Sequence, residues 1–483
     1  MDQTQTPLFD AVKKYVDAEV VRFHVPGHKQ GQGIPELLEY MGFRAVSMDV
    51  NGMRELDYIN NPSGVIRDAQ FLMAQAFGAD RSYLLVNGTT SGVQTMIMSA
   101  CEPGTEIILP RNAHKSTIGG VILSGAIPVY LQPEFNKQLG IAMGVSVENL
   151  KKTIQQHPHA KAVFVINPTY YGYTSHLQQI VDLAHQHNMA VLVDEAHGAH
   201  MGFHPDFPIT AMEAGADMSA ASIHKTAGSL TQSSVLLANG SKIAPERIAA
   251  VLNMTYTSSA SYLLMCSLDV ARKQLALQGR ELLAETLAVA RWARAEINAI
   301  EGVYCFGRDL IGSPGSFGFD ETKLGINVRQ LGCTGYQLES RLRDEYNIQM
   351  ELSDLFNTLA ILSLHENRHD VERLIQALQE IVSQYDLVEV ANPHTIPICP
   401  EMIVTPRDAF YSHKKLLALD DCVGEIAGEM IMAYPPGIPV ICMGERITLD
   451  IIDYIKLLKN EKCELQGAAD PQLNFLRVLG GRN

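Results

Sequence analysis

The sequence predicts an α/β protein with a mostly parallel sheet, followed by smaller α+β domains. Three observations carry this. Between about residue 80 and residue 240, short apolar runs alternate with stretches of helical spacing. The apolar runs end in clusters of Gly, Asn, Asp, His or hydroxylated residues. The chain has 483 residues, too many for one simple core, and a breaker-rich junction follows the alternating region. Strands that alternate with helices of about a dozen residues pair in parallel. Ligands of such sheets sit at the carboxyl ends of the strands, where the polar clusters fall.

The elements read in order as follows. "SYLLV" is a strand, broken by "NGTTSG", and "VQTMIMSAC" has helical spacing. "PGTEIILP" returns to a strand, a helix follows "HKST", and "AIPVYL" is a strand again. "VSVENLKKTIQQH" is a helix, "AKAVFVINP" a strand, "HLQQIVDLAHQHN" a helix, and "MAVLVDEAHG" a strand with its loop. "ADMSAASIHK" and "SSVLLA" are two further strands. A long helix rich in Leu, Ala, Glu and Arg runs from Leu263 to about Ile300. "GSPGSFGFDETKLG" is the junction, and beyond it "INVRQL", "GYQLESRLRDEY", "IQMEL" and "NRHDVERLIQALQEIVSQY" make a small α+β region. From about residue 391 the chain is Pro-rich and loop-like, and a third small unit contains "MAYPPGIPVICMGE". The expected domains are an N-terminal arm over 1–40, a large domain over 41–300, a small domain over 301–390 and a C-terminal domain over 391–483.

With 46% hydrophobic and 19% charged residues, the composition is that of an ordinary globular protein. The net charge is −15 and no Lys/Arg cluster offsets it, which excludes nucleic acid as a partner and mildly favours a cationic substrate. The eight cysteines form no C-x-x-C pair and read as reduced, cytoplasmic thiols. "MDQTQTPLFD" does not resemble a signal peptide, and no apolar run reaches about 18 residues, so no membrane span is expected.

Lys225 lies in "ASIHKTAGSLTQSS", among small and hydroxylated residues with no carboxylate in the window. It is either a surface loop lysine or an amine tuned to form a Schiff base with an aldehyde, its flanks small enough for an anionic ligand to approach. Asp194 ends "MAVLVD" and is either a helix cap or a carboxylate held beneath a protonated pyridine nitrogen. In "NGTTSG", Thr89, Thr90 and Ser91 are helix-capping residues or a phosphate cradle, and Ser222 and His224 could add donors. The Walker pattern is absent. His114, in "PRNAHKST", is a structural histidine or an imidazole stacked on a cofactor ring. His197, His200 and His204 in "HGAHMGFH" sit in a glycine-containing loop without a clear further ligand, so no metal is assigned.

Taken together, "FHVPGHKQG", "NGTTSG", "PRNAHKS", "INPTYYG", "DEAHGAH", "SIHKTAGSLTQSS" and "YPPGIP", in this order, resemble the Orn/Lys/Arg decarboxylases. These are bacterial enzymes of the aspartate aminotransferase-type fold, known as fold type I, that use pyridoxal 5′-phosphate (PLP). The resemblance covers nearly the whole chain and is to the shorter arginine decarboxylase type, which lacks an N-terminal wing domain. It implies that Lys225 carries the cofactor covalently, that Asp194 pairs with the pyridine nitrogen and that His114 stacks on the ring. Thr89, Thr90, Ser91, Ser222 and His224 would hold the phosphate, and His197 would lie near the substrate. "TYTSSASY", 255–262, resembles a segment that reaches the partner subunit's cofactor, so a homodimer with shared sites is expected. Two departures stand out: Met443 replaces a usual proline in "CMGE", and Thr226 and Ala227 replace the usual Leu and Gly beside the lysine. The implied reaction is decarboxylation of L-arginine to agmatine in polyamine biosynthesis. Lysine or ornithine as substrate, and another reaction of the fold such as transamination, are the alternatives. Glu351, Asp354, Asp420 and Asp421 are candidates to face a substrate's distal cation.

Overall fold

The computed structural model describes residues 2–240, 242–389, 400–433 and 437–480. Cys399, the start of the Pro-rich stretch near 391 and Tyr434 to Pro436 of "YPPGIP" lie outside the described residues. The elements that position the site are, in chain order, α1 (Pro7–Asp17), α2 (Val65–Ala76), β1 (Arg81–Leu85), α3 (Gly88–Ala100), β2 (Glu106–Pro110), α4 (Lys115–Ser124) and β3 (Ile127–Leu131). Then come α5 (Val147–Gln156), β4 (Ala162–Ile166), α6 (Leu177–Gln186), β5 (Ala190–Asp194), β6 (Met218–Ala221), α7 (Ile223–Thr226) and β7 (Ser234–Ala238). Further on lie α8 (Pro245–Thr255), α9 (Tyr262–Asn298), α10 (Gly335–Tyr346), α11 (Arg368–Val382), α12 (Pro406–Tyr411) and α13 (Leu449–Asn460). No described helix is long and apolar enough to cross a membrane.

The chain divides into two compact units, the first comprising residues 1–99 and 192–284, the second 100–191 and 285–483. In the first unit β5 pairs with β6 in parallel, with Asp194 opposite Ala220. β7 runs antiparallel to both β6 and β1. The sequence reading did not foresee this reversal. The connection from β6 to β7, residues 222–233, is twelve residues long, and only the four residues of α7 in it are helical, so it contains no crossover helix long enough to run back along the sheet. Every residue of β5, β6 and β7 is buried, which explains why these strands read as continuous apolar runs rather than alternating ones. α3 packs tightly on this sheet at Gly92, where a Cβ would stand 2.8 Å from Leu85 Cδ1 and 2.9 Å from Ala220 Cβ. The start of α1 is held by the fully buried Asp269–Arg272 pair of α9. Asp269 accepts from the N–H groups of Leu8 and Phe9, and Arg272 donates to the carbonyls of Gln3 and Gln5.

In the second unit β2 pairs in parallel with β3 and with β4. A four-stranded antiparallel sheet packs with α10, α11 and the end of α9 around Leu324, Ile326, Leu338, Leu374 and Leu378. A further core forms around Ile451, Ile452 and Ile455 of α13 with Ile431, Leu476 and Val478.

Candidate active site

In the first unit the carboxyl ends of β5 and β6 lie side by side because the strands pair in parallel; β5 ends in Asp194, and β6 leads through Ser222 into α7, which carries Lys225. Asp194 closes β5 and is 6% exposed. Its Oδ1 accepts from the Ala196 N–H at 3.1 Å. Burial pushes its carboxyl above the usual aspartate value, while the Ala196 N–H and the Lys225 charge pull it back. The chain after β6 turns into α7, and this places Lys225 Nζ 2.9 Å from His197 Nε2, with His197 buried. Lys225 is half-buried, in a short helix rather than a loop.

Glu195, adjacent to Asp194, is buried as well, and no sequence signal distinguished it from a solvated acid. Its Oε1 accepts from the Ala211 N–H at 2.8 Å and its Oε2 from the Ser219 hydroxyl at 2.8 Å. Burial pushes its carboxyl up to about 7, against the opposing pull of these two donors.

The phosphate candidates gather at the N-terminus of α3. Thr89 Oγ1 lies 2.6 Å from Ser222 Oγ and donates to Ser234 Oγ at 3.0 Å. All three hydroxyls are buried. Ser234 was not singled out by the sequence, since it reads simply as the first residue of an apolar strand. Thr90 is exposed, and the Ser91 hydroxyl donates to Gly88 O, closing the first turn of the helix. His224 Nδ1 lies 2.8 Å from Ser233 O, which fixes its tautomer with Nδ1–H as donor. Burial pulls its pKa below the usual value.

His114 belongs to the second unit, where it caps α4. Its Nδ1 accepts from the Ser116 N–H at 3.2 Å, so the ring is oriented by the helix terminus. Just before it, Arg111 forms a buried two-pronged ion pair with Glu445. His200 and His204 meet Phe207 edge-on, with ring centroids 4.6 and 6.1 Å away. Among the acidic candidates, Asp354 is a turn organiser: it accepts from the N–H groups of Phe356 and Asn357 and from the Tyr171 hydroxyl. Asp420 pairs with Lys456, while Glu351 and Asp421 are exposed. In segment 255–262, Tyr256 donates to Leu84 O and Tyr262 to Asp57 O, whereas Thr257, Ser258 and Ser259 are exposed.

The sequence profile of the Orn/Lys/Arg decarboxylase major domain matches residues 6–370, and that of the C-terminal domain matches residues 391–470. A Bacillus subtilis arginine decarboxylase is 44% identical over 99% of this chain and 99% of its own length. A Hafnia alvei lysine decarboxylase is 24% identical over 96% of this chain and 76% of its own length. Among solved structures, the E. coli constitutive lysine decarboxylase superimposes with a TM-score of 0.84 at 20% identity, covering 99% of this chain and 82% of that one. The matched profile takes in Asp194, Lys225 and the hydroxyl cluster, and the chain belongs to the Orn/Lys/Arg decarboxylase family.

Proposed function

We propose that this protein decarboxylates L-arginine to agmatine and carbon dioxide with PLP as cofactor. The observation that carries the reading is the Lys225–His197 contact at the mouth of the sheet that buries Asp194. Arginine is preferred to lysine because the full-length likeness to an arginine decarboxylase, at 44%, far exceeds that to a lysine decarboxylase, at 24%.

The residues suit PLP on three counts. Asp194 is a buried carboxylate raised by desolvation, an environment that a cationic pyridine nitrogen would relieve. Thr89, Ser222 and Ser234 pool buried hydroxyls at the start of a thirteen-residue helix, as a phosphate requires. Lys225 presents an amine within reach of a proton partner. Bound PLP supplies an aldehyde for amines and an electron sink for the pair left behind when carbon dioxide departs. Lys225 would hold the aldehyde, Asp194 the pyridine nitrogen, His114 a ring face, and Thr89, Thr90, Ser91, Ser222 and His224 the phosphate. Asp194 keeps a fixed negative charge where positive charge must persist through the reaction. Nζ of Lys225 and Nε2 of His197 share a proton and deliver it to the substrate Cα. The buried walls of β5, β6 and β7 exclude water from below.

The protein acts as a homodimer. Val21, Phe23 and Tyr40 of the N-terminal arm are 78%, 96% and 91% exposed, surface that a second copy would cover. Thr257 and Ser258 are the exposed hydroxyls that would reach the neighbouring site. The described cysteines form no disulfide, consistent with a cytoplasmic enzyme. The decisive experiment offers a panel of L-amino acids to the PLP-loaded protein and identifies the amines by mass. Agmatine as the dominant product supports the reading, cadaverine or putrescine would redirect the substrate, and a keto acid would replace decarboxylation by transamination.

A further inference from the structure

Helix α4, whose N-cap is His114, is gripped at both ends by the C-terminal domain. At its N-terminal end, Arg111 is 8% exposed and donates Nε to Glu445 Oε1 at 2.9 Å and Nη2 to Glu445 Oε2 at 2.8 Å. Arg111 Nη1 donates to Pro439 O at 2.9 Å, and the Lys115 N–H donates to Gly437 O at 3.3 Å. Glu445 is fully buried and is itself fixed by the Cys442 N–H at 2.7 Å. At the C-terminal end, Arg407 Nη1 donates to Ile122 O at 3.0 Å and to Leu123 O at 2.9 Å, carbonyls that a helix end leaves without intrahelical partners. α12, which carries Arg407, packs against α4. The two grips are tied to each other: Gly444 O accepts from the N–H groups of Ile403 and Val404, and a Cβ on Gly444 would stand 2.0 Å from Val404 O. Only glycine fits there, whatever stands at Met443.

We propose that the C-terminal domain is a positioning element for His114, a two-point clamp made by Glu445 on Arg111 and by Arg407 on the end of α4. This rests on the reading that His114 meets the cofactor ring. A forked Arg–carboxylate pair fixes direction as well as distance, and a second hold at Ile122 and Leu123, eleven and twelve residues after Arg111, removes the remaining rotation of the helix. The imidazole inherits that restraint because its Nδ1 is bound to the same helix terminus. Arg111, Glu445 and Arg407 are positioning residues, since none of them is required to touch substrate or cofactor.

The test uses the full-length protein with Arg407→Ala, which leaves the buried Arg111–Glu445 pair intact, alongside His114→Ala and the double variant. Amide hydrogen exchange in the cofactor-free protein reports the helix directly, and exchange across 115–124 should quicken about tenfold in Arg407→Ala. PLP affinity, read from the bound cofactor's absorption band, should fall about threefold to tenfold in Arg407→Ala. Arg407→Lys should restore most of it. In the His114→Ala background, Arg407→Ala should add no further loss, because coupled residues are non-additive. The apolar pair Arg111→Met with Glu445→Leu, which avoids stranding a buried charge, should show the same non-additivity. Additive losses, or unchanged exchange in Arg407→Ala, overturn the clamp while leaving the function of the site intact. A His114→Ala protein with normal affinity and an unchanged absorption band overturns the role of His114 and the clamp with it.

Discussion

Lys225 Nζ stands 2.9 Å from His197 Nε2, and the two are presented by different strand ends of one sheet. At this distance one of the two nitrogens donates a hydrogen bond and the other accepts it. Such a pair can give a proton to carbon and recover it from solvent.

His197→Gln should therefore lower kcat about a hundredfold to ten-thousandfold, the range for a lost acid–base partner. Borohydride treatment of the loaded variant should still fix the cofactor to the peptide containing Lys225. A near-normal kcat would reduce His197 to a packing residue. An adduct mapped to another lysine would displace Lys225.

Asp194→Asn keeps the shape and removes the charge. A capping role predicts little change, because Asn caps as well as Asp. A role beneath the pyridine nitrogen predicts that kcat at saturating PLP falls by two to three powers of ten, the effect of losing about 3–4 kcal/mol of transition-state stabilisation. The melting temperature without cofactor should stay level or rise, since burial holds the carboxyl above its ordinary value. A kcat near that of the wild type would take Asp194 out of the site.

The alternation of strands and helices was legible because the central strands, Ala162–Ile166, Ala190–Asp194, Met218–Ala221 and Ser234–Ala238, are buried throughout and read as short apolar runs. Asp194 stood out as the charged residue that closes an apolar strand, and Lys225 as a lone lysine among small and hydroxylated residues. Glu195 did not, because burial of the second of two adjacent acids depends on the loop at Ala211, which folds back over it. The Arg111–Glu445 pair spans 334 residues, and no local pattern encodes a partner at that distance. Ser234 was hidden because a hydroxyl at the start of an apolar strand reads as part of the strand. The reversal of β7 was not readable from length, because the twelve residues between β6 and β7 would also suit a parallel crossover.

Glu195 gives the fold a pH dependence. Its carboxyl is raised to about 7 in the folded protein, against 4.5 when free. The folded state therefore keeps its proton where the unfolded state loses it. Its contribution is fully present below about pH 4.5 and is lost as pH rises through 7. The difference is roughly 3 kcal/mol, from about 1.4 kcal/mol per pH unit. Glu195→Gln cannot titrate, so its stability relative to the wild type should improve steadily between pH 4.5 and 8 in chemical denaturation. Asp194 shifts in the same direction and its charge helps raise Glu195, so the difference reports Glu195 together with its coupling to Asp194. A difference that stays constant across this range would show that the Glu195 carboxyl titrates normally.

The hydroxyl cluster at the start of α3 allows a phosphate role to be separated from a structural one. Thr89→Val preserves shape and removes one hydroxyl, leaving Ser222 and Ser234 to lose a buried partner. Either role therefore predicts a destabilised protein, by about 1–3 kcal/mol, and a lower melting temperature alone decides nothing. Inorganic phosphate distinguishes them. If the helix terminus and its hydroxyls bind phosphate, the cofactor-free wild type should gain stability with phosphate concentration, reaching about 2.7 kcal/mol at a hundred times the dissociation constant. Thr89→Val should need several times more phosphate for the same gain. Sodium chloride at matched ionic strength controls for general salt effects. The PLP dissociation constant should rise in parallel, because the same donors hold both anions. If Thr89→Val lowers the melting temperature by the same amount at every phosphate concentration, the hydroxyls only hold β7 and α7 to α3, and the phosphate site lies elsewhere.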